Sequence, residues 1–301
     1  MQAMNYKIFT IVQSNLKFKI KMFIKKTLSL IFSELGYGIS INSTNELIIS
    51  RNLEKTLSKI KISNVATEIE KIDNKIFQEF ILNNIKYWKE GLQVLWILFI
   101  FDCKKSGYFV EFGACDGVLF SNTNLLEKDF GWTGILAEPN RSYKNEIGKN
   151  RKARIHYGAV WSKSGESIEF AEITAGGLSG IYSTFRGSGG ALNKRESLGI
   201  KRYMVETISL NDLLNDHNAP IDFDLLSIDT EGSEFEILNN LDLKKYRPKV
   251  ILVESDGSQN DAKQFENLLS GYGYKSVGSA INDEKNIWFV HTNSISKFET
   301  L

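Results

Sequence analysis

YFVEFGACDG, residues 108–117, decides the fold. Tyr108 to Phe112 is a short apolar run broken by one acid, Glu111, and it ends on Gly113; a second glycine, Gly117, follows four residues on. A run of that length, stopped by glycine, reads as a buried strand entering a tight turn. The same texture recurs downstream. Gly134–Ala137, Ala153–Tyr157, Phe223–Ile228 and Val250–Val253 read as further buried strands, and residues 205–208 as extended chain. Between them, residues 120–130, 140–149, 209–216 and 233–240 carry helical patterning. Strands alternating with helices imply a mostly parallel sheet covered on both faces. The chain then reads as a helix at 259–270, a strand at 273–279, a turn at Asn282-Asp283 and a strand at 286–292. A connection that short forces its two strands to be antiparallel. The expectation is an α/β, Rossmann-like fold, parallel except for one strand near the C-terminus.

The remaining sequence divides near residue 75. Residues 1–75 are Lys- and Ile-rich, without glycine clusters or acids at strand ends, and are expected to form a helical extension. Within them LKFKIKMFIKK (16–26) interleaves apolar side chains with lysines, so residues 7–32 could contact an anionic membrane peripherally. Residues 76–301 are expected to be the main domain. Its entry, Phe77 to Phe101, is helical in pattern, and the apolar stretch Val94–Phe101 suits a buried helix rather than a span. Residues 174–203 hold seven glycines from Gly176 to Gly199, with Arg186, Lys194, Arg195, Lys201 and Arg202. A connection that long reads as a lid or binding loop.

Bulk properties narrow the function classes. A net charge of +1 gives no basic field for a nucleic-acid partner. Two cysteines, Cys103 and Cys115, are too few for a disulfide framework, and no signal-like segment or long apolar run is present. A cytoplasmic protein, with membrane association only through residues 7–32, is the expectation.

The chemistry lies at strand ends. G-x-x-x-G at Gly113 and Gly117 is not the G-x-G-x-x-G that cradles a pyrophosphate. The acid before it, Glu111, would repel a phosphate but suits the positive amino group of a methionine moiety. Glu138, ending the second strand in ILAEPN, can accept both hydroxyls of a ribose. SIDTEGSE (227–234) places Asp229 and Glu231 at another strand end, and VESDG adds Glu254 and Asp256 at its neighbour. Such acids can take a proton from an acceptor or hold a divalent cation. Glu234 fits a structural place at a helix N-terminus.

These segments, Tyr108 to Asn140, VETISLNDLL (205–214) and FDLLSIDTEGSEFEIL (223–238), resemble the FkbM family of methyltransferases over about residues 76–292. The resemblance implies a class I methyltransferase fold, S-adenosylmethionine as cofactor and O-methylation, with sugar or polyketide hydroxyls as acceptors. It implies a cofactor site lined by Glu111, Gly113, Ala114, Asp116 and Gly117, with Glu138 and Pro139 at the ribose. Asn122, Thr123, Asp229 and Glu231 would lie close by. Cys115 stands where the family pattern often has asparagine. Residues 1–75 match nothing in that pattern.

Methyl transfer to a hydroxyl needs alignment and a base or metal. Asp229 is the first candidate, with Glu254 as its partner. Of three histidines, His156 ends the third strand on the right side, whereas His217 and His291 are expected to lie away. A nicotinamide-linked oxidoreductase shares the strand-end glycine and Glu138, but lacks G-x-G-x-x-G and leaves Asp229 and Glu231 unexplained. A non-catalytic protein that binds the cofactor would not need those acids. The acceptor and the oligomeric state are not legible.

Overall fold

A computed structural model describes residues 74–173, 177–185, 197–255, 259–277 and 286–294, together with 40–41, 47–48, 69 and 72. The chain divides into two units, Met1–Gly91 and Leu92–Leu301. In the first, β1 (Ser40–Ile41) and β2 (Leu47–Ile48) form a short antiparallel pair, where the sequence suggested helix. Helix α1 (Lys75–Asn83) starts where the Asn74 side chain accepts the Phe77 N–H at 2.9 Å. A 3₁₀ turn, Ile85–Glu90, follows and ends at Gly91, whose φ of 97° breaks the helical pattern. Residues 7–32 lie outside the described residues.

The second unit opens with α2 (Leu92–Ile100), whose residues Val94 to Ile100 are all buried. A helix apolar all round belongs inside a protein. Its Trp96 meets Trp288 of the sheet edge-on, ring centroids 6.5 Å apart. The sheet strands follow: β3 (Tyr108–Phe112), β4 (Thr133–Ala137) and β5 (Arg154–His156), then, further on, β10 (Leu225–Ile228), β11 (Val250–Glu254), β12 (Tyr274–Ser276) and β13 (Asn286–His291). They lie in the order β12-β13-β11-β10-β3-β4-β5. Only β13 runs antiparallel, between β11 and β12. The central strands bury nearly every residue because helices cover both faces; Phe112, Ile135, Leu226 and Ile251 belong to one core. The described helices are α3 (Asn124–Phe130), α4 (Lys144–Asn150), α5 (Leu210–Asp216), α6 (Glu234–Asn239) and α7 (Gln259–Ser270).

Three expectations are corrected. Helix α3 starts at 124, not 120, because the Ser121 hydroxyl accepts the Asn124 N–H and so sets the first turn. Residues 140–149 split into a 3₁₀ turn, Arg141–Tyr143, and α4. Most notably, the chain between β5 and α5 builds a second sheet, in the order β6-β9-β7-β8, from β6 (Ala159–Trp161), β7 (Ser167–Ile173), β8 (Gly180–Ile181) and β9 (Ile200–Ser209). The supposed lid at 174–203 is therefore partly strand. Lys201 and Arg202 lie on β9, where Arg202 pairs with Glu169 at 3.5 Å and lies over Tyr182. Arg186, Lys194 and Arg195 fall outside the described residues, as do Asp256 and the Asn282-Asp283 turn.

One acid ties the amino-terminal edge of the main sheet together. Buried Asp224, just before β10, accepts from Lys104 Nζ (2.7 Å), Lys249 Nζ (2.8 Å) and the Tyr108 N–H (2.9 Å). Burial works against its charge, but these donors outweigh burial and hold its carboxyl below the ordinary value. Asp224→Ala leaves two partly buried ammonium groups and an N–H unanswered. Thermal or urea unfolding should show a loss of about 3 kcal/mol; a loss below about 0.5 kcal/mol would contradict this role.

Candidate active site

Register places the site. Phe112 pairs with Ala137 and with Ile228, and Ile228 with Val253. One step beyond those paired positions stand Glu138, Gly113, Asp229 and Glu254, side by side across β4, β3, β10 and β11. This is the carboxyl edge, where open parallel sheets bind ligands.

Gly113 makes the row possible. It has φ +76°, and a Cβ there would lie 1.7 Å from the Asp229 carbonyl oxygen. Its N–H reaches the Ala137 carbonyl at 3.2 Å. The backbone of the first turn is therefore seated against both neighbouring strand ends.

Glu138 is buried. Its Oε2 accepts the Cys115 N–H and its Oε1 the Asn140 N–H, each at 2.8 Å. Burial nevertheless dominates and lifts its carboxyl to about 7, with the Asp229 charge adding to the shift. Pro139 carries the chain out of the row and Ala114 is fully buried beside it.

On the other side, carboxylate oxygens of Asp229, Glu231 and Glu254 lie within 4.8 Å of one another. Burial, then the charges of Asp229 and Glu231, push the Glu254 carboxyl far above its ordinary value. The Asp229–Glu254 pair thus favours holding a proton. The loop carrying these acids is held by Glu234, which accepts from the Thr230 N–H, the Thr230 hydroxyl and the Gly232 N–H. A Cβ at Gly232 would lie 2.5 Å from the Thr184 carbonyl, and one at Gly180 2.9 Å from the Thr230 carbonyl. The β8 turn of the second sheet therefore lies directly on this loop.

The glycine turn is organised from behind. Glu111 accepts from the Ser121 and Thr123 hydroxyls and the Asn122 N–H, and Arg151 stands 3.6 Å from it. Asn122 reaches the Ser227 hydroxyl at 3.2 Å. Asp116 caps the turn, its Oδ1 accepting the Val118 and Leu119 N–H groups. Beyond it Val118, Leu119 and Phe120 are exposed. The buried Cys115 thiol is pushed up by burial and by the acids around it, so it stays protonated and unreactive.

The structure brings Asp229, Glu231 and Glu254 together with Gly113 and Glu138. It gives His156 different company. The groups acting on His156 are His217, Asp216 and Glu206; burial first, then His217, lower its pKa. His217 is among them, and its carbonyl accepts from the Arg154 guanidinium at the amino end of β5. His291 lies at the opposite edge, its N–H on the Lys249 carbonyl. A cavity of about 710 Å³ opens beside Glu138, lined by Asn140, Lys144, His156, Met204 and Asp216. Sequence reasoning missed Arg151. It stands just past α4 in extended conformation, and no local pattern marks it.

A parallel sheet with one antiparallel strand between its last two members, and a glycine turn flanked by strand-end acids, define a Rossmann-like domain of the class I methyltransferase kind. The family model described as the methyltransferase FkbM domain matches residues 111–276, and the chain belongs to that family. No curated protein matches the sequence. Among solved structures, methyltransferase FkbM from Methylobacillus flagellatus aligns at 10% identity and TM-score 0.38, over 76% of this chain and 58% of that one. The chain thus spans less than two thirds of that protein. A precorrin-6y C5,15-methyltransferase from Geobacter metallireducens aligns at 11% identity and TM-score 0.32, covering 65% and 85% of the two chains. The N-terminal domain of human METTL16, in complex with SAH, aligns at 13% identity and TM-score 0.34, covering 90% and 92%. The family assignment rests on the family model and not on these likenesses.

Glu138 yields a test. Its folded-state pKa of about 7 exceeds the ordinary 4.5, so the folded protein holds this proton more tightly than the unfolded chain. That contribution is fully present below pH 4.5, fades as pH rises to about 7, and changes no further above it. Relative to Glu138→Gln, the wild-type Tm should therefore fall across this window. A gap between the two proteins that does not vary with pH would contradict the shift.

Proposed function

We propose that the protein is an S-adenosylmethionine-dependent methyltransferase acting on a hydroxyl of a sugar or other glycan or secondary-metabolite acceptor. The observation that carries the reading is the row Glu138, Gly113, Asp229, Glu254, within the segment that matches the family. The residues fit the cofactor. Gly113 lets the strand ends that carry Glu138 and Asp229 close up backbone to backbone, Glu138 retains lone pairs for ribose hydroxyls, and an acidic edge suits a cationic donor. The wall near Asp116, Gly117, Asn122 and Thr123 would complete this site, and Ala114 and Pro139 shape its floor.

When bound, S-adenosylmethionine supplies a methyl group made electrophilic by its sulfonium. The protein's part is alignment and proton removal. Asp229, one step past β10 and paired with Glu254, takes the acceptor's hydroxyl proton. Glu231, on the same loop, would add negative charge beside a bound cationic donor. His156, among its own neighbours at the cavity, serves as a contact for substrate rather than as this base. A small-molecule or glycan acceptor, rather than nucleic acid, is supported by the net charge of +1. Among the described residues, no helix is long and apolar enough to cross a membrane.

The spacing of Asp229, Glu231 and Glu254 also fits a hard divalent cation. Millimolar Mg²⁺ or Ca²⁺ that raises the Tm of the wild type, but not of Asp229→Asn, would assign the cluster to metal. An unmoved Tm leaves it to proton transfer.

Calorimetry should show S-adenosylhomocysteine binding and NAD failing to bind; the reverse would make the protein an oxidoreductase. With an acceptor in hand, Asp229→Asn should abolish turnover while cofactor affinity changes less than about tenfold, as expected when a group acts on the acceptor in the transition state. Full activity in that variant would remove Asp229 from the chemistry.

A further inference from the structure

Arg151 follows α4, far in sequence from the glycine turn, yet its guanidinium is fully buried behind that turn. NH1 donates to the Gly117 carbonyl and the Ser121 hydroxyl, both at 3.0 Å, and NH2 to the Thr123 hydroxyl at 2.8 Å. Nε donates to Glu127 at 3.3 Å, and the guanidinium lies 5.4 Å from the centre of the Phe109 ring. Glu127 in turn accepts the Lys152 and Ala153 N–H groups, which fixes the segment that carries the arginine.

The turn it grips is costly to maintain. Gly113, Cys115, Gly117 and Phe120 all have positive φ, at 76°, 49°, 84° and 61°. For Cys115 and Phe120 this is strained, and such backbone persists only where its surroundings over-determine it. Glu111 supplies the other half of the grip. It accepts from Ser121, Asn122 and Thr123 and faces Arg151, while only 3% of the residue is exposed. A carboxylate so enclosed has no open side for a ligand.

We propose that Arg151 is the positioning residue of the donor loop. With Glu111 it forms a buried clamp that fixes residues 113–123, and Glu111 serves as the arginine's counter-ion rather than as the partner of the donor's ammonium group. The proposal rests on the reading of this edge as the donor site. Lysine cannot replace the arginine, because four donors in a fixed plane are needed to reach Gly117, Ser121, Thr123 and Glu127 at once.

Two ligands separate a clamp from a direct contact. S-adenosylhomocysteine carries the amino-acid group and 5′-methylthioadenosine lacks it. Calorimetry on the folded full-length chain should show Arg151→Lys and Glu111→Gln each raising both dissociation constants by a similar factor, on the order of tenfold, as loss of a group behind a ligand-binding surface does. The double variant should fall short of the product of the two factors, because one network is broken twice. Ser121→Ala, which removes a single clamp contact, should raise both constants by less and gives the same readout if the larger changes impair folding. Weakening of S-adenosylhomocysteine alone in Glu111→Gln would make Glu111 a direct ligand and overturn the proposal. A lowered Tm with unchanged dissociation constants would overturn it too, leaving Arg151 a purely structural group. If the wild type binds neither ligand, the donor-site reading itself fails, and the clamp's function with it.

Discussion

A hydrogen atom where a side chain would be governs this edge of the protein. Because Gly113 has no Cβ, the Asp229 carbonyl can occupy the space next to it, and the ends of β3 and β10 touch backbone to backbone. That contact brings Glu138 and Asp229 close enough for the charge of one to raise the pKa of the other. It also joins the two chemical halves of the site, glycine turn and acid cluster, backbone to backbone. The second sheet adds to this through β8, whose turn rests on Thr230 and Gly232 with no room for a side chain at either Gly180 or Gly232.

The two edges of the main sheet treat their acids in opposite ways. At the amino edge, Asp224 receives two ammonium groups and a backbone N–H, and its charge is welcome. At the carboxyl edge, Glu138, Asp229, Glu231 and Glu254 crowd together, and burial and mutual repulsion raise the pKa values of Glu138 and Glu254. Left to stability alone, such a row would be neutralised or replaced. The proposed function gives both features a use, in a cationic donor and a proton to be accepted. Arg151 does not relieve this row. Its charge is spent behind the turn, on Glu111 and Glu127, and there it holds strained backbone in place.

How much of this the sequence discloses follows from the range of the interactions. The central strands were legible because each is a short apolar run stopped by glycine, acid or proline, and their parallel order follows from the intervening helices. The row of acids was legible for the same reason, since each stands one step past such a run. The second sheet was not. SIEFAEI alternates polar and apolar residues and buries Phe170, Ala171 and Ile173, but it is flanked by glycine-rich chain that reads as one loop. The clamp was hidden because Arg151 meets partners 24 to 34 residues earlier in the chain, and only the sheet brings them together. The enclosure of Glu111 was hidden for the same reason: the hydroxyls around it lie ten and twelve residues on, past a turn whose course no local pattern gives.

Amide hydrogen exchange with and without S-adenosylhomocysteine tests the central claim most directly. The account predicts added protection at residues 113–117, 138–140 and 229–232, the three turns that meet around Gly113. Protection confined to residues 156–165 and 204–216 would place the ligand in the cavity beyond His156, and would contradict the assignment of the donor site to this edge.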